Sequence, residues 1–191
     1  MKNIFKFFCG LRLIVLQIFV AGSLFAQDTT EQINPLTKND PSQYKKPYVI
    51  LISADGFRAD FTEKYDATFL QTISQNGVRA KYMQPSYPSV TFPNHYTIVT
   101  GLYPSHHGLV DNTYIDVASG QQYSMANKKM VSEGKWYGGT PLWVLAEQQK
   151  MLSASFFWVA SEADIQGIKP TYHYIYNDKT NIGTRIQAVK N

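Results

Sequence analysis

Apolar and polar positions fall into short, sharply bounded blocks along this chain. Residues 47–54 (PYVILISA) form a continuous apolar, β-branched run with Asp55-Gly56 directly after it. The run is too short for a helix buried all round, and it predicts a strand covered on both faces, as in a parallel sheet. Residues 68–76 carry helical spacing (Phe69, Leu70, Ile73) and stop at Gly77. Residues 78–83 predict a second short strand. Residues 102–108 (LYPSHHG) read as a turn-rich connection, and residues 114–117 and 121–124 as an exposed, alternating hairpin around Ala118-Ser119-Gly120. Thr140 caps a further helix with Pro141 in its first turn and Leu142, Trp143, Leu145 and Ala146 as its apolar face. Residues 152–160 (LSASFFWVA) predict a third core strand, residues 171–177 an edge strand or extended arm, and residues 182–189 the start of an amphipathic helix. Buried strands alternating with helices predict an α/β layered fold.

One stretch stands out in this pattern, residues 85–101 (PSYPSVTFPNHYTIVTG). Pro85 and Pro88 keep the approach extended. Thr91 or Phe92 is the expected N-cap, Pro93 fits the first turn, and Gly101 supplies a left-handed stop. A hydroxyl therefore sits at a helix mouth, where free N–H groups and the macrodipole favour an anion. Thr91 is either a cap or something more. Asp55, at the carboxyl end of the first predicted strand, is either a turn former with Gly56 or a ligand.

Composition narrows the choices. Three of the four net positive charges of the 191-residue chain come from Lys2, Lys6 and Arg12, within a leading stretch that has no acid. The remainder is close to neutral, which removes a charge-based case for nucleic acid. That leading stretch, residues 1–26, reads as an export signal: a basic start, an apolar run over residues 13–25, then Ala26 before a polar segment. An uncleaved anchor is the alternative, on a run short of the ~20 residues a span requires. Export to the periplasm or the medium follows, with no stable membrane anchor after cleavage. Cys9 is the only cysteine, so the segment after the signal holds no disulfide, thiolate metal site or thiol nucleophile. Residues 27–46 are polar and aperiodic and read as a lead-in, and residues 47–191 as an incomplete catalytic domain.

Asp55 and Thr91 are expected at one edge of a parallel sheet. A carboxylate beside a threonine hydroxyl points to a metal that activates the hydroxyl as a nucleophile, with the helix mouth holding phosphoryl oxygens. The blocks at residues 50–58 (ILISADGFR), 76–112 (containing TFPNHY and GLYPSHHG), 135–149 (KWYGGTPLWVLAEQQ) and 156–177 (FFWVASEADIQGIKPTYHYIYN) carry a resemblance. From residue 47 onward the chain resembles the nucleotide pyrophosphatase/phosphodiesterases of the alkaline phosphatase superfamily.

The resemblance implies the N-terminal part of an alkaline-phosphatase-like layered α/β/α domain with a mostly parallel sheet. It implies a phosphodiesterase with two zinc ions acting on a small phosphodiester, such as a nucleotide. Asp55 matches the family's first metal ligand, and Thr91 matches a nucleophile that also contacts metal. Asn112 matches an amide that stabilises an equatorial oxygen, and Phe92 a residue that stacks on the base. The family's remaining ligands are expected beyond Asn191. A phosphomonoester or phosphonate hydrolase is one alternative, and an inactive fragment is another. Among the histidines, His95 is expected to be structural, His106 and His107 solvated in a turn, and His173 on a strand that could line the site. Asn94 is expected to bond within the first turn of its helix.

Overall fold

Tyr96 has no exposed surface, and most of the buried core is assembled around it. The computed structural model describes residues 31–33 and 38–190; the predicted export signal at residues 1–26 lies outside them. In chain order the elements are strand β1 (Glu31–Ile33), helices α1 (Phe61–Lys64), α2 (Thr68–Asn76), α3 (Thr91–Thr100) and α4 (Pro104–His107), and strands β2 (Thr113–Ile115) and β3 (Gln122–Ser124). Helices α5 (Lys128–Val131) and α6 (Leu142–Gln148), strands β4 (Ala154–Phe156) and β5 (Tyr172–Tyr174) and helix α7 (Ile182–Lys190) follow. The fold is mixed α/β, as the pattern predicted.

Along α3 every third residue is buried: Pro93, Tyr96 and Val99. These face Leu109, Tyr123 on β3, Trp136, Tyr137, and Trp143 and Val144 on α6. A core this rich in phenols needs its hydroxyls satisfied. Tyr96 Oη donates to Gly138 O at 3.0 Å, Tyr137 Oη donates to Val131 O at 3.0 Å, and the Tyr123 and Tyr137 hydroxyls meet at 2.9 Å. Burial raises the pKa of all three phenols, so they remain neutral donors. The hairpin β2–β3 is antiparallel as expected. It is not exposed throughout, because Tyr123 on its inner face is fully buried.

His107 also departs from expectation. It was read as solvated, yet it is fully buried behind α3. Its Nδ1 accepts from Leu109 N at 3.2 Å, which leaves Nε2–H to donate to Thr97 Oγ1 at 3.1 Å. Gly138 makes this possible: its N–H donates to His107 O at 2.8 Å, and a Cβ there would stand 3.0 Å from that oxygen. Burial of the ring lowers His107 to about 4.

Three predicted strands are corrected. Residues 47–54 and 78–83 join no ladder, and of the third, residues 152–160, only Ala154–Phe156 is strand. The apolar run lies exposed, with Val49, Ile50 and Ile52 each about 85% accessible. Strand formation needs a neighbour, and among the described residues none lies beside it. Helix α2 has its predicted limits but leaves Phe69, Leu70 and Ile73 exposed. Helix α6 buries Trp143 and Val144 rather than Leu142 and Leu145, and Pro141, not Thr140, is its N-cap. The predicted edge strand, β5, is central: it runs antiparallel to β1 and parallel to β4, because part of the polar lead-in supplies β1.

Glu147 fastens α6 to this sheet. Its Oε1 accepts from Ser153 N (3.0 Å), Ser153 Oγ (2.7 Å), Thr171 N (2.9 Å) and Thr171 Oγ1 (2.5 Å). One carboxylate thus satisfies both strand entrances.

Two predictions follow from these contacts. Glu147→Ala is expected to cost about 3 kcal/mol in urea unfolding, because four half-buried donors lose their acceptor, whereas Glu147→Gln keeps an acceptor and costs about 1 kcal/mol. His107 is neutral when folded and has a depressed pKa. The unfolded chain therefore binds the extra proton between about pH 6.5 and about 4. Its contribution to stability is complete above pH ~6.5 and is lost as the pH falls toward 4. The urea midpoint of the wild type should drop more steeply over that window than the midpoint of His107→Asn.

Candidate active site

Four residues singled out in the sequence meet at the mouth of α3. Thr91 Oγ1 donates to Asp55 Oδ2 at 3.0 Å across 36 residues of chain. Phe92 N donates to Asn112 Oδ1 at 2.9 Å. Thr91 is half-buried and Asp55 exposed, so the junction opens to solvent.

The local backbone differs from the expected cap. Val90, extended at φ −111° and ψ 163°, is the N-cap, and Thr91 is the first helical residue. No side chain caps the helix locally. Thr91 therefore has its hydroxyl free for Asp55, and Asn112 does the capping from a distance. Pro93 has no N–H, and Phe92 gives its own to Asn112. The helix mouth consequently offers fewer backbone donors than such a terminus usually has. Because Asn112 Oδ1 faces an N–H, its Nδ2 keeps two donors for another partner. Gly101 ends the helix in the left-handed region, φ 68°, as predicted.

Asp55 is a turn former with Gly56, and its carboxylate accepts from Thr91. Phe57 N donates to Ala54 O at 3.3 Å across the Asp55-Gly56 turn, with Gly56 at φ 69°. Asn94 is a first-turn bonder, donating from Nδ2 to Pro88 O at 2.8 Å and to Val90 O at 3.1 Å. Ser86 Oγ completes it by donating to Asn94 Oδ1 at 3.1 Å. The Phe92 ring packs on the core, 6.5 Å from the Tyr123 ring. His173 is buried on β5 and bonds to none of these four residues; its Nδ1 has no hydrogen-bond partner among the described residues.

The sequence reading missed Ser53 and Trp158. Ser53 Oγ lies 2.9 Å from His95 Nε2, and Trp158 Nε1 donates to His95 O at 3.2 Å. The signal was spacing: Ser53 and Asp55 are two apart on a non-helical run, while Thr91 and His95 are four apart on a helix.

Asp55 Oδ2 and Thr91 Oγ1 are two oxygen donors close enough to share one divalent cation. They fit one side of a coordination shell. No group of three or more His, Cys, Asp or Glu converges among the described residues. A catalytic zinc ordinarily takes three protein ligands, so this pair alone is a partial set.

Known proteins resemble this chain in sequence and in fold. The family profile for type I phosphodiesterase / nucleotide pyrophosphatase matches residues 49–191. Ectonucleotide pyrophosphatase/phosphodiesterase family member 1 of Mus musculus is 36% identical over 167 residues, covering 86% of this chain. A venom phosphodiesterase of Naja atra is 40% identical over 151 residues, or 78% of this chain. The chain spans 18% of the length of each of these relatives. Murine ectonucleotide pyrophosphatase/phosphodiesterase 5 superposes with a TM-score of 0.66 at 29% identity, covering 71% of this chain and 36% of that one. An inactive variant of the same murine protein, in complex with AMP, superposes with a TM-score of 0.67 at 28% identity, covering 72% of this chain and 37% of that one.

Asn112 allows a test of its capping role by itself. Asn112→Ala removes the acceptor of Phe92 N–H and is expected to lower stability by about 1 kcal/mol. Asn112→Asp keeps an acceptor, with a charge that the helix terminus favours, and should unfold at or above the wild-type urea midpoint.

Proposed function

Because the chain belongs to the type I phosphodiesterase / nucleotide pyrophosphatase family, we propose that Thr91 is the nucleophile of a hydrolase acting on phosphodiester or pyrophosphate bonds of nucleotides. The observation that carries this reading is the 3.0 Å contact between Thr91 Oγ1 and Asp55 Oδ2 at the first turn of α3.

A threonine hydroxyl is a poor nucleophile at neutral pH and needs activation. Asp55 and Thr91 would hold a divalent cation, zinc by resemblance, which when bound would supply Lewis acidity that lowers the hydroxyl pKa. The chain's own residues do the rest. Asp55 fixes the direction of the hydroxyl. Thr91 Oγ loses its proton to solvent and forms a bond to phosphorus while the bond to the departing alcohol or phosphate breaks; the leaving oxygen takes up a proton from water, and the nucleotidyl group remains as a threonine ester. Water then cleaves that ester and restores the hydroxyl. Asn112 Nδ2 donates to an equatorial phosphoryl oxygen as charge builds there. Phe92, half-buried with its ring against the core, is by resemblance the residue on which a base would stack.

The predicted export signal and the relatives' names, an ectoenzyme and a venom enzyme, support a place outside the cytoplasm. Among the described residues no helix is long and apolar enough to cross a membrane.

The test uses the protein produced from its complete gene, with a nitrophenyl ester of thymidine monophosphate and added zinc. Thr91→Ala is expected to lower kcat by at least roughly a thousandfold. Wild-type rates in that variant, or hydrolysis indifferent to metal removal, would overturn the reading. Faster turnover of a nitrophenyl monoester than of the diester would move it to a phosphomonoesterase.

A further inference from the structure

Asp55 sits at the end of a run that no ladder holds. Residues 47–54 have no sheet neighbour among the described residues, yet Asp55 meets Thr91 at 3.0 Å. A second contact lies beside that one. Ser53 Oγ is 2.9 Å from His95 Nε2.

The two contacts have matching periods. Side chains two apart on an extended run point the same way and stand about 6.5 Å apart. Side chains four apart on a helix share a face and are spaced by about 6 Å of axial rise. The run and the helix therefore meet as two rungs, Ser53 with His95 and Asp55 with Thr91, in opposite directions along the chain.

His95 is itself held in place. Its Nδ1 is 2.8 Å from Thr91 O, and a carbonyl oxygen can only accept. Nδ1 therefore carries the proton, and neutral Nε2 is left to accept from the Ser53 hydroxyl. The Trp158 ring meets the imidazole edge-on, with centroids 5.7 Å apart at 73°, and Trp158 Nε1 donates to His95 O. One imidazole thus ties the carbonyl of Thr91 to the residue two before Asp55.

We propose that Ser53 and His95 are a positioning pair, which sets the register between the Asp55 carboxylate and the Thr91 hydroxyl. Neither residue touches the reacting atoms. The kinetic consequence rests on the phosphodiesterase reading; the register itself does not.

Imidazole nitrogen NMR on this chain at neutral pH tests the register without any turnover. His95 is expected as the Nδ1–H tautomer. Ser53→Ala should move its Nε2 resonance and leave Nδ1–H in place, while Ser53→Thr, which keeps the hydroxyl, restores the wild-type shift. Amide exchange at Phe57, whose N–H closes the Asp55-Gly56 turn onto Ala54 O, should quicken in Ser53→Ala and in His95→Asn, which retains a donor for Thr91 O. An Nε2–H tautomer, or exchange unchanged in both variants, overturns the proposal. In the enzyme from the complete gene, Ser53→Ala and His95→Asn should each lower kcat about tenfold with KM within about twofold, a single hydrogen bond's worth of positioning. The double variant should be no worse than the poorer single one. Additive losses, or undiminished kcat in an active enzyme, overturn the pair and leave the phosphodiesterase reading standing. The expected NMR and exchange results in a protein with no turnover do the reverse.

Discussion

The rotation of α3 about its own axis is the constraint on which the site depends. Pro93, Tyr96 and Val99 bury one side of the helix. Once Pro93 and Tyr96 face the phenol-rich core, Thr91 and His95 fall on the flank of the helix that meets residues 53–55. Two buried contacts prevent the helix from turning: Tyr96 Oη to Gly138 O, and Thr97 Oγ1 to His107 Nε2. Gly138 serves both, since it accepts from Tyr96 and lies close enough to bond His107. Helix orientation, the burial of His107 and the placement of the Thr91 hydroxyl are thus a single packing decision.

Much of this was legible in the residues, and the failures have a common cause. Local signals worked: the limits of α2, the proline approach and glycine stop of α3, and the hairpin all depend on near neighbours in the chain. Asp55 and Thr91 were brought together correctly, but on the assumption of a shared sheet edge. The structure joins them through side chains instead. Whether residues 47–54 pair as a strand depends on distant chain, which an apolar pattern cannot reveal. The same holds for His107, whose burial comes from Gly138 thirty-one positions on, and for β5, made central by a strand from the lead-in. The cap at Thr91 was missed because Asn112, remote in sequence, replaces it.

The two ends of the Asp55 run are held differently. Its apolar portion, Val49 to Ile52, has no neighbour to bury it among the described residues. Its polar end is attached by Ser53 and Asp55 to α3. Hydrophobic burial is non-directional, whereas hydrogen bonds specify distance and angle. A site that needs a carboxylate oxygen close to a hydroxyl is better specified by the second kind of force. The order seen at Asp55 therefore does not require the strand to be paired.

The helix mouth carries the last consequence. A helix terminus stabilises an anion mainly through its first unpaired N–H groups. At α3, proline removes one of these and Asn112 occupies another. That would weaken a site relying on the backbone alone. Here the same amide that takes the Phe92 N–H keeps its own Nδ2 donors for another partner, so a backbone donor is exchanged for a side-chain one anchored from 20 residues away. On the proposed reading, charge building on phosphorus at Thr91 meets Asn112 on one side and the Asp55 junction on the other. The carboxylate alone would repel that charge. On that reading an anionic ester calls for positive charge at Asp55, and this is the electrostatic argument for the proposed metal.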